Sequence, residues 1–394
     1  MRKIAATYIF PGNLPPIKNG ILVCSNNGTI IDLIDTKGNL REQAGIEYYS
    51  GVLVPGFINA HCHLELSYLI GEIPEKTGLR RFLNHIRRLR DAEPISITEA
   101  IRKYDFLMQM SGIVAVGDIS NTTLTLSTKK ESNIYYHTFA ESFGMDSTHT
   151  NEVYFKTQQV EAEFLKAGLN VSITPHASYS VSGELLSIIS ENARTKKSIL
   201  SVHHLESKEE SMLTTNNHRP MQLLQGTDLD NNQDSPAEKI YSILPKENKL
   251  LLVHNTILTT RDLMILRKYR SLDNTFFVLC TNSNLHIENV LPPVPTLLSE
   301  KVNICIGTDS LASNHRLSVL EEMKTLQLKF PEVTLQQLIE WACINGADAL
   351  GISSKMGSFE KGKNPGINLL TGIDLQRLKL TSSTKVKVIQ KAIK

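Results

Sequence analysis

The 394-residue sequence predicts an α/β fold: a (β/α)₈ TIM-type barrel with a small flanking β domain formed from both chain ends. Three observations predict it. Eight short apolar runs alternate with amphipathic stretches, the runs are nearly continuous in apolar character, and histidines collect where the runs end. Parallel strands covered by helices on both faces read as such continuous runs. A barrel of this type uses about 250 residues, which fits within the chain and leaves its two ends over.

The elements follow in chain order. Residues 1–50 hold short β-like pieces, Ile21–Cys24 and Thr29–Leu33, with turns at Asn26–Gly28 and Lys37–Gly38, and are assigned to the flanking domain. The barrel, residues 51–354, is read from the runs Val52–Ile58, Ile113–Val116, Ile134–Phe139, Leu169–Ile173, Ile199–Val202, Leu250–Val253, Phe276–Leu279 and Val302–Ile306. Between them Leu79, Phe82, Leu83, Ile86 and Leu89 recur at helical spacing, as do Leu185, Leu186, Ile188 and Ile189, and Leu317–Lys329 and Leu335–Trp341 also read as helices. The polar stretch Gln225–Ser235 reads as an exposed loop. The tail, residues 355–394, is turn-rich around Gly357, Gly362, Pro365 and Gly366 and forms the second part of the flanking domain. An open doubly wound nucleotide-binding sheet is disfavoured, because no GxGxxG or P-loop lysine pattern follows a strand.

Composition narrows the function. Hydrophobic residues make up 41% and charged residues 21%, and the formal net charge is +2. That balance gives no reason to expect nucleic acid or an anionic membrane as partner, which leaves a small-molecule substrate. Met1–Phe10 lacks the apolar core of a signal peptide, and no apolar run approaches the ~20 residues that span a bilayer. The five cysteines are scattered with no CxxC pair, so reduced thiols and a cytoplasmic protein are expected. A homodimer stays open as the assembly state.

The strongest chemical signal is His61-Cys62-His63, at the end of the first run. Residues two apart in a strand point to the same side, so both imidazoles face one space. An HxH alone has many bland explanations, satisfied core or surface histidines among them. The other strand ends change the weighing. His203 and His204 close the fifth run, His254 the sixth, and Asp309 the eighth, while His176 follows the fourth and His286 the seventh. Seven of the twelve histidines thus fall at or just past strand ends, the rim where such barrels build active sites.

Three histidines and a carboxylate suit a divalent metal and leave room for water, whose pKa the metal lowers toward neutrality. A proton shuttle is then needed, and Glu206, three residues beyond His203, is placed for it. Asp309 can ligate the metal and accept a proton, and His254 can polarise the atom under attack. A two-metal centre would want a bridging lysine at the third or fourth strand end. Glu141 and His176 stand there instead, which favours one metal.

The stretches Val54–His63, Pro175–Tyr179, His203–Glu206, Val253-His254, Thr281–Asn284 and Gly307–Asn314 closely resemble the amidohydrolase superfamily, in its mononuclear aminohydrolase branch, across nearly the whole chain. The resemblance implies His61, His63, His203 and Asp309 as metal ligands, Glu206 as the proton shuttle, and His254 as the group orienting water and substrate. The implied cofactor is one divalent metal, Zn²⁺ first and Fe²⁺ second. The adjacency of His203 and His204 leaves open which of the two ligates. Pro175-His176-Ala-Ser-Tyr179 matches a ribose-contacting pattern of adenine-nucleoside deaminases. The run His61–Ser67 looks most like the aminofutalosine deaminases of menaquinone biosynthesis, which gives Glu65 a sugar-hydroxyl contact. Ser310 is a further substrate-binding candidate. The implied reaction is hydrolytic deamination of an adenine nucleoside, with 6-amino-6-deoxyfutalosine the first choice. The alternatives are another hydrolase of the same branch, acting on guanine- or cytosine-like rings, a cyclic amide or a ring chloride. A non-catalytic barrel is disfavoured, since every expected ligand is present. The tail departs from relatives at Asn364-Pro365-Gly366, where an acidic, apolar strand is common.

Other features weigh less. Arg80, Arg81, Arg87, Arg88 and Arg90 make a basic helix face that reads first as solvated, although one of them can pair with a substrate carboxylate. Cys62 and Trp341 read as packing residues, and His286 is evenly balanced between pocket and fold.

Overall fold

The computed structural model describes residues 1–41, 43–90, 93–210 and 237–393. The expected loop Gln225–Ser235 lies outside the described residues.

Five strands open the chain: β1 (Arg2–Ile9), β2 (Ile17–Lys18), β3 (Ile21–Cys24), β4 (Ile30–Ile34) and β5 (Ile46–Pro55). The eight barrel strands follow. They are β6 (Phe57–Cys62), β7 (Ile113–Ser120), β8 (Tyr135–Ser142), β9 (Asn170–Pro175), β10 (Leu200–His204), β11 (Leu250–His254), β12 (Thr275–Leu279) and β13 (Asn303–Ile306). Two strands near the C-terminus, β14 (Ile367–Thr371) and β15 (Lys385–Gln390), join the first set in a sheet ordered β15-β14-β5-β1-β3-β4, with β2 paired to β1. The flanking sheet therefore takes strands from both chain ends.

The barrel strands pair in parallel as β6-β7-β8-β9 and β10-β11-β12-β13. Two seams close the ring. At one, the His203 amide donates to the His176 carbonyl at 2.8 Å; at the other, the Thr308 and Asp309 amides donate to the His61 carbonyl at 3.0 and 3.1 Å. Apart from the opening residues of β8, β9 and β13, these strands are buried throughout, which is why their sequences lack alternation.

The first apolar run does not form a single strand. Val52, Leu53 and Val54 end β5 and pair with β14 in the flanking sheet, whereas the barrel begins at Phe57. Gly56 makes the break. A Cβ there would lie 2.3 Å from Val114 Cγ1 and 2.5 Å from the Pro365 carbonyl, so only glycine lets the two layers meet.

Helices cover the barrel where the periodicity predicts, among them Leu79–Leu89, Gly183–Lys196 and Val319–Lys329. The last predicted helix runs Leu335–Ile339 and continues through a π-turn, Glu340–Ile344, into Asn345–Ala349. Side chains start several of them. Ser182 caps one by accepting the Leu185 amide at 3.1 Å, and Thr259 with Asp262 forms a reciprocal capping box. Trp341 is buried in the main core, as is Cys62, facing away from the histidines on either side of it. No helix among the described residues is long and apolar enough to cross a membrane.

Candidate active site

The C-terminal ends of β6, β10, β11 and β13 deliver the predicted residues to one place. His61 stands one residue before the end of β6, and His63 directly follows the strand. Its Nε2 lies 3.1 Å from His61 Nε2 and 3.2 Å from His203 Nε2. Asp309 Oδ1 approaches His63 Nε2 at 3.4 Å and His61 Nε2 at 3.7 Å. All four side chains are buried.

Neighbours aim these groups. His203 Nδ1 donates to the His176 carbonyl at 3.0 Å, which turns Nε2 toward the cluster. Ser283 and Ser313 hydroxyls donate to Asp309 Oδ2 at 2.6 and 2.7 Å and leave Oδ1 facing the imidazoles. His254 Nδ1 donates to Asn284 Oδ1 at 2.9 Å, and its Nε2 stands 3.7 Å from Glu206 Oε1. Serine and asparagine at Thr281–Asn284 matched the family pattern, but only the fold assigns these tasks.

The backbone is bent to achieve this. Leu205, His254, Asn255 and Asp309 have φ of +46°, +78°, +57° and +57°, a region that non-glycine residues seldom occupy. Such positions persist where surrounding bonds over-determine them. Here the Asn255 amide donates to the His204 carbonyl at 2.9 Å, and the Asp309 amide to His61.

The two adjacent histidines are separated by the strand's own alternation. His203 faces the cluster, whereas His204 Nδ1 pairs with Asn255 Oδ1 at 2.8 Å and its Nε2 with the Tyr241 hydroxyl. Of the remaining candidates, His176 and Ser310 line the cavity above the cluster together with Tyr179, Phe82, Ile86, Arg87, Arg90, Asn121, Glu141 and Phe143. Glu65 does not line it. Its carboxylate accepts the Asn121 and Thr122 amides at 3.1–3.3 Å and the Thr122 hydroxyl at 3.1 Å, so it ties a loop beside the cavity. His286 also stands apart, in an outer cleft with Glu75 and His315. Of the basic helix face, Arg87 and Arg90 reach the cavity.

Protonation follows from burial and charge. Burial and the neighbouring imidazoles pull His203 well below its ordinary value, and burial brings His61 down to about 4. Both are neutral at pH 7, as ligands must be. Burial works against ionisation of Asp309, yet His61, His63 and His254 outweigh it and hold the carboxyl well below the usual range. Glu206 is pushed up by burial to about 7. His254 is lowered by burial but raised overall by Glu206 and Asp309, so this pair retains a proton near neutrality.

The donor set fits a divalent metal. The Nε2 atoms of His61, His63 and His203 and the Asp309 carboxylate converge, with contacts of 3.1–3.7 Å, on a space that a cation would share among them. Tetrahedral ligands at ordinary zinc–nitrogen distances sit roughly 3.3 Å apart, in the same range. His61 Nδ1 is in addition buried without a hydrogen-bond partner.

Comparison with known proteins agrees with this geometry. The model of the amidohydrolase family matches residues 52–393. A 5-methylthioadenosine/S-adenosylhomocysteine deaminase of Saccharophagus degradans is 26% identical over 86% of this chain and 75% of its own length. An adenosine deaminase of Helicobacter pylori is 27% identical over 82% and 79%. Among solved structures, H. pylori aminofutalosine deaminase in complex with methylthio-coformycin superposes with a TM-score of 0.77 at 22% identity, covering 97% of this chain and 94% of its own. A zinc-bound adenosine deaminase of Xanthomonas campestris gives 0.76 at 19% identity, covering 99% and 92%. With the family match spanning barrel, rim cluster and tail alike, the chain belongs to the amidohydrolase family and is a hydrolase of carbon–nitrogen bonds other than peptide bonds.

Proposed function

We propose that this protein is a hydrolytic deaminase of adenine-nucleoside-type substrates, with 6-amino-6-deoxyfutalosine the first candidate and hence a place in menaquinone synthesis. The observation that carries the reading is Glu206 beside His254, at the floor of a cavity that also holds His203 and Asp309. Relatives named as deaminases of 5-methylthioadenosine and S-adenosylhomocysteine, of adenosine and of 5'-deoxyadenosine support the substrate class. The five cysteines are free and buried, in keeping with a cytoplasmic protein.

His61, His63, His203 and Asp309 would hold one divalent metal, zinc before iron(II). When bound, the metal supplies Lewis acidity and lowers the pKa of a water molecule. Glu206 takes a proton from the attacking water and returns it to a ring nitrogen of the purine, which its raised pKa suits. His254, fixed by Asn284, donates a hydrogen bond to the attacking oxygen and so orients it toward the ring carbon. Asp309 accepts the second proton, with Ser283 and Ser313 steadying its other oxygen. Asp309 passes that proton to the amino group, and the carbon–nitrogen bond breaks to release ammonia and leave the 6-oxo product. His176, held by Ser180 at 2.7 Å, and Ser310 contact the nucleoside in the cavity.

The test is ultraviolet spectroscopy of zinc-loaded protein with aminofutalosine, S-adenosylhomocysteine, methylthioadenosine and adenosine. An adenine-to-hypoxanthine shift is expected, fastest with aminofutalosine. No shift with any of them, in protein proven to hold metal, overturns the substrate class and points to guanine, cytosine-like rings or cyclic amides.

A further inference from the structure

Lys129 and Asp118 form a salt bridge at 2.6 Å with both side chains fully buried. Lys129 reaches in from the helix Leu126–Glu131, and its Nζ also donates to Ser120 Oγ and Thr138 Oγ1, each at 3.0 Å. The three ammonium protons thus meet three acceptors. Phe164 and Tyr136 pack around the cation with ring centres 4.9 and 5.5 Å from Nζ.

Asp118 stands beside Cys62 in the register of β6 with β7. Its Oδ1 accepts the amide of Leu64 at 2.7 Å. Leu64 opens the short 3₁₀ turn Leu64–Leu69 directly after His63, and the His63 side chain does not cap that turn. The first amide of a helical turn has no partner within the turn, so Asp118 supplies one from the neighbouring strand. A charged acceptor makes this bond stronger than a neutral one.

Stability does not account for the pair. Removing two charges from water costs several kcal/mol, and apolar residues of similar volume often serve a core as well or better. An apolar pair, however, cannot accept the Leu64 amide. Asp118 alone would be a buried, uncompensated charge, and Lys129 makes it tolerable.

We propose that the Asp118–Lys129 pair is a positioning device for His63: by holding the Leu64 amide it sets the direction of the His63 imidazole, and so the affinity of the cluster for a divalent cation. The proposal rests on the reading of His61, His63, His203 and Asp309 as metal ligands.

The test compares three full-length proteins by zinc competition against a chromophoric chelator, with thermal unfolding of each metal-free protein alongside. Asp118→Leu with Lys129→Met removes both charges and the acceptor. It is expected to fold but melt below the parent, because the buried Leu64 amide loses its acceptor, while its zinc dissociation constant rises 10–100-fold, the range found when residues supporting metal ligands are lost. Asp118→Asn with Lys129→Met is also neutral but keeps an oxygen for Leu64, and its zinc affinity should stay within a few-fold of the parent. Parent-like affinity in the leucine variant overturns the proposal. So does equal weakness of the asparagine variant, because the Leu64 amide would then not be the route. If the leucine variant does not fold, Asp118→Ser with Lys129→Met, too short to reach Leu64, replaces it and is read in the same way. A parent that binds no zinc overturns the metal reading itself, which a chelator titration of the parent alone reveals.

Discussion

Glu206 Oε1 lies 3.7 Å from His254 Nε2, with both side chains buried and Asn284 holding the far side of the imidazole. Neither residue belongs to the four-atom cluster, so proton transfer and metal retention can be separated by mutation. Glu206→Gln should keep the metal, measured by elemental analysis, and lose about 10²–10⁴-fold in kcat. Turnover at the parent's rate would remove Glu206 from the chemistry.

The same carboxyl predicts a pH dependence. Burial raises Glu206 to about 7, and only the ionised form can take a proton from water. The rate should therefore rise with pH as Glu206 ionises, with burial raising that limb and a bound cation drawing it back, and a limb that persists unchanged in Glu206→Gln would contradict the assignment. Stability runs the other way. The native state keeps this proton up to about 7 while the unfolded chain loses it near 4.5, so Glu206 costs stability as pH rises across that window. In metal-free protein, Glu206→Gln should be the more stable form at pH 8, by about 1–3 kcal/mol, and equal to the parent below pH 4. Denaturant melts at the two pH values measure both.

His61→Ala takes a buried imidazole from the cluster and should abolish metal retention after dialysis. Retained metal would reassign the ligand set.

His203 and His204 make a matched pair of tests. His203→Ala should lose metal. His204→Ala should retain it but cost about 1–3 kcal/mol of stability, because Asn255 and Tyr241 lose buried partners. Metal analysis and denaturant melts distinguish the two, and loss of metal from the His204 variant would reverse the choice.

Arg87 reaches the cavity and Arg81 does not. Arg87→Ala should raise KM about tenfold or more for a substrate with a distal carboxylate, leave adenosine unchanged, and differ in this from Arg81→Ala. Equal KM values for both variants would remove Arg87 from substrate recognition.

Much of this site could be read along the chain because strand geometry is local. A period of two puts His61 and His63 on one side, and the ends of buried apolar runs mark the rim where His203, His254 and Asp309 stand. Other assignments depend on contacts between residues far apart in sequence. Val52–Val54 and Phe57-Ile58 are equally apolar because both segments are buried. What divides them is the approach of Val114 and Pro365 to Gly56. His203 and His204 are chemically identical; strand alternation puts them on opposite faces, and only the packing of His204 on Asn255 and Tyr241 shows which one faces the cluster. Glu65 carries the chemistry of a sugar contact, but the fold bonds it to the loop after β7, outside the cavity lining. The hydroxyls on Asp309, the amide behind His254 and the ion pair beside His63 were likewise out of reach, since a hydrogen bond between distant residues leaves no periodic mark in the sequence.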